Sequence, residues 1–445
     1  MNQTNWTPLH VHARNAFNRV NACLSQGPFA GFEGVRKFFA EQEDTTGPLI
    51  LDDLFPQTLS AFRIAEYNTY LEVFESARVH STATSFPLVG ETRSFRAVVK
   101  EYEDRYPQHR GKVQKLRRRW RGDLRSSVVY TMFLNDAVNF VKVAEKYRCP
   151  FVFTLYPGGG FRLSDEQADN YLRRVFSSPS FRKVIVTQEI SQRYLLDNGL
   201  CSADELEFIY GVVSPSSLLT NSAPERRRFP ESKRTFDVCF VAHKYTHRGV
   251  DKGYDTFIEA ARCLSKICNK MIFHVVGPFG AADIDVSDLR DKLRFYGTRP
   301  TEFFPAFYAN MDVILSPNRA FMLGPGSFDG FPTGACVEAG LCGVVAICTD
   351  PLQQNISLQA EEEIVIVKPD VDDICQRVHQ FYTRPENVYL VSARGQEAFR
   401  RIFNVEAQMK PRLRTLASLL DDQEVRSSGR NLVAGLESSI RKWKP

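Results

Sequence analysis

The chain has 445 residues, 43% of them hydrophobic, with 57 Lys and Arg against 52 Asp and Glu, and 10 cysteines. This composition supports a large buried core rather than disorder, and about 150 residues per domain sets an expectation of two or three domains. The net charge of +5 is too mild for a dedicated nucleic-acid binder. No run approaches the roughly 18 apolar residues of a spanning helix. The start, MNQTNWTPLHVHARN, lacks a basic segment followed by an apolar one, so no secretory signal is expected and the location is expected to be cytoplasmic. The cysteines are scattered without a CxxC pair or zinc-like His/Cys spacing, so they read as reduced, mostly buried thiols; no metal site is expected.

In the first half, PLILDDLF (48–55), SSVVYTMFL (126–134), PFVFTLYP (150–157) and KVIVTQ (183–188) read as strands, separated by helical stretches such as NDAVNFVKVAEKY (135–147). Residues 1–45 and 80–125 fit no regular unit. Within the latter lies a basic cluster, HRGKVQKLRRRWRGDLR (109–125), with Trp120 at its centre. It fits a solvated surface, or a stripe resting on anionic lipid at the inner face of a membrane or holding an acidic acceptor. A second cluster, PERRRFPESKR (224–234), mixes Pro, Ser and charge just ahead of an apolar run and reads as an inter-domain linker.

Beyond that linker the pattern alternates between short apolar runs and amphipathic ones. FDVCFVA (236–242), MIFHVVG (271–277), LRFYG (293–297), DVILSP (312–317), VVAICT (344–349) and EIVIV (363–367) read as strands. Helices are expected over 254–267, 303–311, 335–343 and from about Val371 to Tyr382. This is a parallel sheet covered on both faces, which places ligands outside the carboxyl ends of its strands. The expected architecture is two doubly wound α/β domains facing a cleft, over 1–222 with an unusual N-terminal extension and over 223–405. Helices over 406–445 are expected to cross back onto the first domain.

The loop and helix GPGSFDGFPTGACVEAGLCG (324–343) carries the clearest chemistry. Its glycines let backbone approach a ligand, and the free N–H groups near Gly334 and Ala335 suit a diphosphate. Glu338, one turn inside the helix, is an acceptor that suits a pair of sugar hydroxyls. Lys252, at the start of a helix after the domain's first strand, can neutralise a phosphate, although taken alone it reads more readily as a surface lysine.

Together, VIVTQEISQRYLLDNGL…LEFIYGVV (184–213), FVAHKY…DKGYDTFIEA (240–260), FHVVGPFG (273–280), LRFYGTRPTEFFPAFYANMDVILSPN (293–318) and DGFPTGACVEAGLCGVVAICTD (329–350) resemble, in order, the retaining GT-B glycosyltransferases called family 4. The resemblance covers roughly 126–405 and is strongest in the second half. It implies a nucleotide-diphosphate sugar held by the second domain, a glycan or lipid-linked glycan acceptor held by the first, and transfer with retention. It implies no metal and no cofactor beyond the sugar nucleotide. Lys252 matches the lysine of the phosphate clamp, Glu338 the second glutamate of an E-x7-E pattern, and Thr333, Gly334 and Ala335 the backbone around the diphosphate. Gly277, Tyr296 and Thr298 fall where the nucleoside is expected.

The first E-x7-E position falls on Gly330, which leaves Asp329 as the acidic substitute one residue early. The clamp arginine has no direct counterpart; His243, Lys244 and Arg248 are candidates, with Lys244 preferred. Tyr156 stands where the family often has a histidine, and with Gly158, Gly159 and Gly160 it is expected to line the acceptor pocket, its phenol donating to a sugar hydroxyl. A DxD at Asp283 and Asp285 reads as an acidic surface loop. The resemblance implies a role in bacterial cell-surface polysaccharide assembly. Two alternatives remain: a non-catalytic sugar-nucleotide or glycan-binding module, suggested by Gly330 and Tyr156, and a sugar-nucleotide epimerase on the same fold.

Overall fold

The structure, a computed structural model, describes residues 47–57, 61–87, 91–116, 128–215, 218 and 225–428, with side chains to 420. The first domain runs β1 (Leu49–Asp52), α1 (Ala61–Val73), β2 (Arg78–Ser81), α2 (Phe95–Arg105), β3 (Val113–Lys115), β4 (Val129–Met132), α3 (Leu134–Tyr147), β5 (Phe151–Leu155), α4 (Glu166–Phe176), β6 (Phe181–Val186), α5 (Glu189–Asp197) and β7 (Leu206–Phe208). These strands form one parallel sheet in the order β3-β2-β1-β4-β5-β6-β7. The central strands β1, β4 and β5 are buried throughout, which is why they read as unbroken apolar runs rather than alternating ones.

The second domain runs β8 (Phe236–Val241), α6 (Tyr254–Ile267), β9 (Met271–Val276), β10 (Leu293–Gly297), α7 (Phe304–Tyr308), β11 (Val313–Ser316), α8 (Gly334–Leu341), β12 (Val345–Thr349), β13 (Val365–Val367) and α9 (Val371–Thr383). Its parallel sheet has the order β10-β9-β8-β11-β12-β13. Both domains are therefore Rossmann-like, as the alternating pattern requires. The reversal of strand order between β8 and β11 opens a crevice at their carboxyl ends.

The chain closes with α10 (Pro385–Phe403) and α11 (Val405–Ser428). Met409, Leu413 and Leu416 of α11 pack into the first domain's core with Ile50, Tyr67 and Tyr130. A second tie comes from the loop before α8. Phe328 joins the first domain's core and meets the edge of Phe161 at a ring-centre distance of 5.9 Å, while Leu163 N–H donates to the Gly326 carbonyl at 2.9 Å.

The stretch 80–116 is more regular than its sequence suggests. Helix α2 buries only Val98 and Tyr102, so its apolar stripe is faint, and β3 is a three-residue edge strand with two exposed positions. The Arg-rich part of the basic cluster, 117–125, lies outside the described residues, as do residues 1–46 and most of the boundary around 222.

Candidate functional site

A cavity lies between the carboxyl edges of the two sheets, with one wall from each domain. On the second-domain side, the turn after β8 carries His243, Tyr245 and Lys252 into it. Gly253 follows with φ 71°, and a Cβ there would run into the Pro317 carbonyl, so the turn can hold Lys252 against the β11 edge only with glycine next in sequence. The Lys252 ammonium lies 2.6 Å from both carboxylate oxygens of Asp329 and 5.0 Å above the Tyr245 ring. Asn318 donates to the same carboxylate at 2.7 Å.

Helix α8 begins at the cavity with Thr333 as its N-cap, and Thr333, Gly334, Ala335 and Glu338 all line the space. The first-turn N–H groups of a helix have no partner within it, so this end offers donors and a partial positive charge. The Glu338 carboxyl makes no hydrogen bond among the described residues, and burial pushes it up to about 8. His243 is 5% exposed with both ring nitrogens unpartnered; burial and then the nearby Lys252 charge hold its pKa well below the ordinary histidine value, so the ring is neutral. Gly277, at the end of β9, and Thr298 and Arg299, beyond β10, complete this wall.

The first-domain wall is built from Phe62, Tyr156, Pro157, Thr187 and Gln188. Tyr156 lines the cavity as expected of its position, but its hydroxyl is committed inward. It donates to Glu66 Oε2 at 3.0 Å and accepts from Arg412 at 3.4 Å. Glu66 is fully buried and also accepts from Tyr70 and Tyr130. The phenol therefore has no hydrogen to offer a sugar hydroxyl while these contacts hold, and the ring is what faces the ligand space.

Several expected site residues lie elsewhere. Lys244 pairs with Asp283 at 2.6 Å, outside the cavity lining. Tyr296 shares a hydrogen bond of 2.9 Å with His274 and packs among Phe303 and Phe307. Gly158, Gly159 and Gly160 turn the chain behind the wall, the latter two packed on Phe133 and Asn135. Their turn delivers Phe161 and Leu163 to the inter-domain contact. The DxD carboxylates are engaged locally, Asp283 by Lys244 and the Gly280 N–H, Asp285 by the Ser287 N–H.

Sequence reasoning missed Gln188, Asn318, Tyr245 and Thr187. A usable signal existed for Gln188, which stands two residues beyond the parallel strand β6 and so sits at the edge where such sheets bind ligands. Among the described residues one acidic trio, Asp52, Asp53 and Asp136, is close enough to hold a cation. Arg63 already sits against it, 3.1 Å from Asp52, and Asp52 also accepts from Tyr67 and from two backbone N–H groups. This trio reads as a buried ion-pair cluster.

Residues 235–384 match the family model described as glycosyl transferases group 1. No curated protein sequence matches the chain. Among solved structures, the chain resembles Alr3699/HepE of Anabaena in complex with UDP, with a TM-score of 0.62 at 16% identity, covering 84% of this chain and 100% of that one. Sucrose-phosphate synthase of Thermosynechococcus elongatus is similar at TM-score 0.54 and 14% identity, with 84% and 100% covered. So is a trehalose-6-phosphate synthase studied for glycosyltransfer with retention, at TM-score 0.55 and 10% identity, with 84% and 99% covered. The fold is GT-B, and the group 1 glycosyl transferase match over the second domain supports a transferase.

Proposed function

We propose that the protein moves a sugar from a nucleotide-diphosphate donor to a glycan or lipid-linked glycan acceptor, with retention and without a metal, in bacterial cell-surface polysaccharide assembly. The observation that carries this reading is the convergence of Lys252, the start of α8 and Glu338 on one wall of the inter-domain cavity. The α8 N–H groups and the Lys252 ammonium suit a diphosphate, and Glu338 suits the ribose hydroxyls. Gly277 and Thr298 extend the same wall toward the nucleobase.

In the reaction, the bond from the anomeric carbon to the leaving phosphate oxygen breaks as the bond to the acceptor oxygen forms on the same face. The acceptor's proton passes to that phosphate oxygen. Charge builds on the departing diphosphate, and donors fixed in advance around it stabilise the change, each worth about 10²–10³ in rate. Retention is supported by the family resemblance and by the likeness to trehalose-6-phosphate synthase, which was studied for that outcome. HepE was crystallised with UDP and with UDP-glucose, which favours a UDP-sugar here.

In this reading residues 1–222 hold the acceptor and 223–405 the donor, a division supported by the packing of α11 on the first domain's core. The protein works in the cytoplasm, and the basic stretch 109–125 brings the acceptor side to the inner membrane face. The test is incubation with UDP-, GDP- and TDP-sugars and candidate acceptors, with and without chelator, followed by NMR at the anomeric position. Retained product that survives chelation is expected. An epimerised donor without acceptor, or inverted product, overturns the reading.

A further inference from the structure

The position where the family resemblance predicts a glutamate is occupied by Gly330, and the space that a side chain would take is filled from the other domain. Gln188, at the N-cap of α5 in the first domain, reaches across and accepts the Phe331 backbone N–H at 3.2 Å through its side-chain oxygen. Only the oxygen can accept an N–H, so this bond fixes the amide's orientation. Its nitrogen then lies 3.0 Å from where a Cβ on residue 330 would stand. That nitrogen donates to no group among the described residues, although Gln188 is only 2% exposed, and both Gln188 and Gly330 line the cavity.

The sugar's place follows from the donor's own covalent order. With the diphosphate at the start of α8 and the nucleoside over Glu338, Gly277 and Thr298, the glycosyl group must project from the opposite phosphate, toward Asp329, Gly330 and the first-domain wall. The amide N–H₂ opens on the cavity without a protein acceptor, and a ligand hydroxyl placed there would accept from it.

We propose that Gln188 of the first domain is a sugar-recognition residue, donating from Nε2 to a hydroxyl of the transferred glycosyl group in place of a carboxylate at position 330. This rests on the donor reading above. The donor site is then complete only while the two domains are apposed, because the nucleotide contacts come from one domain and this sugar contact from the other.

Gln188→Glu keeps an oxygen for the Phe331 N–H but exchanges the donor for a charged acceptor, so Gln188→Leu, which adds neither charge nor acceptor, is the discriminating change. We would titrate wild type, Gln188→Glu, Gln188→Leu and Gly330→Ala with UDP and with UDP-glucose, and with the GDP and TDP pairs, and measure donor hydrolysis in parallel. The expected result is UDP-type affinity within about twofold of wild type in Gln188→Leu, with sugar-nucleotide affinity or turnover reduced about tenfold or more, the loss of one hydrogen bond to the sugar. Gly330→Ala should show the same selective loss, because its Cβ displaces the amide. Unchanged sugar-nucleotide affinity and turnover in Gln188→Glu and Gln188→Leu, with nucleotide binding intact, overturns the role of Gln188 alone. A wild-type protein that binds none of the nucleoside diphosphates overturns the donor reading itself.

Discussion

Lys252 and Asp329, 77 residues apart in sequence, face each other in the cavity with the ammonium 2.6 Å from both carboxylate oxygens. Without a ligand, the cation assigned to the diphosphate is thus held by a carboxylate. On the proposed donor reading, the diphosphate takes Lys252 over from Asp329, which then becomes available to the sugar or the acceptor.

This exchange predicts opposite effects of one substitution on binding and on rate. Asp329→Asn frees the ammonium, so nucleoside diphosphate should bind about tenfold more tightly, the scale of one charge-assisted hydrogen bond, while kcat falls. Calorimetry and steady-state kinetics on the same preparation check this. Weaker nucleotide binding in the variant would mean that Asp329 orients Lys252 for the phosphate rather than competing for it.

The carboxyl of Glu338 gives a stability signature that needs no substrate. Burial raises its pKa from the ordinary 4.5 to about 8, so the folded protein holds this proton more tightly than the unfolded chain. The associated stability is present in full at acid pH and is lost as pH rises through about 8. Glu338→Gln removes that dependence. The melting temperature of the variant minus that of wild type should therefore grow in the variant's favour between about pH 5 and about pH 9. A difference that stays flat across this range contradicts the burial argument.

Under the cavity floor, Arg412 and Glu66 form a fully buried pair, with Arg412 Nε 3.5 Å from Glu66 Oε2. Arg412→Met leaves that carboxylate without its cation and should cost about 3–5 kcal/mol, whereas adding Glu66→Gln should recover much of the loss. Urea unfolding of the two variants checks it. Because α11 carries Arg412 to Tyr156, the single variant should also weaken the fit of the first-domain wall.

If the basic stretch 109–125 contacts a membrane, co-sedimentation with liposomes should rise with the fraction of anionic lipid and fall in high salt or when its arginines are reversed to glutamate. Equal binding to neutral and anionic vesicles contradicts the contact.

The two-domain architecture was legible because buried parallel strands and amphipathic helices leave strong local patterns. β8, β9, β11 and β12 all fall within their expected windows. That Lys252, Glu338 and the start of α8 line one cavity was legible for the same reason, since a lysine before a helix or a glycine-rich turn is a local signal. What was not legible depends on partners far away in sequence. Tyr156 meets Glu66 at a separation of 90 residues and Arg412 at 256. Lys244 is the expected clamp cation, but Asp283, 39 residues on, pairs with it. Gly158, Gly159 and Gly160 looked like a ligand loop, yet their freedom serves a turn that joins the domains. Gln188 is a neutral amide without a charge signal, and its meaning lies in the gap at Gly330.

The most direct test of the account is calorimetric titration of wild type and Lys252→Ala with UDP, GDP and TDP under chelation. The account predicts that at least one of the three binds wild type without metal and that Lys252→Ala weakens it by an order of magnitude or more while circular dichroism and melting temperature stay the same. Nucleotide affinity that is equal in the two proteins, or no affinity in wild type, would contradict it.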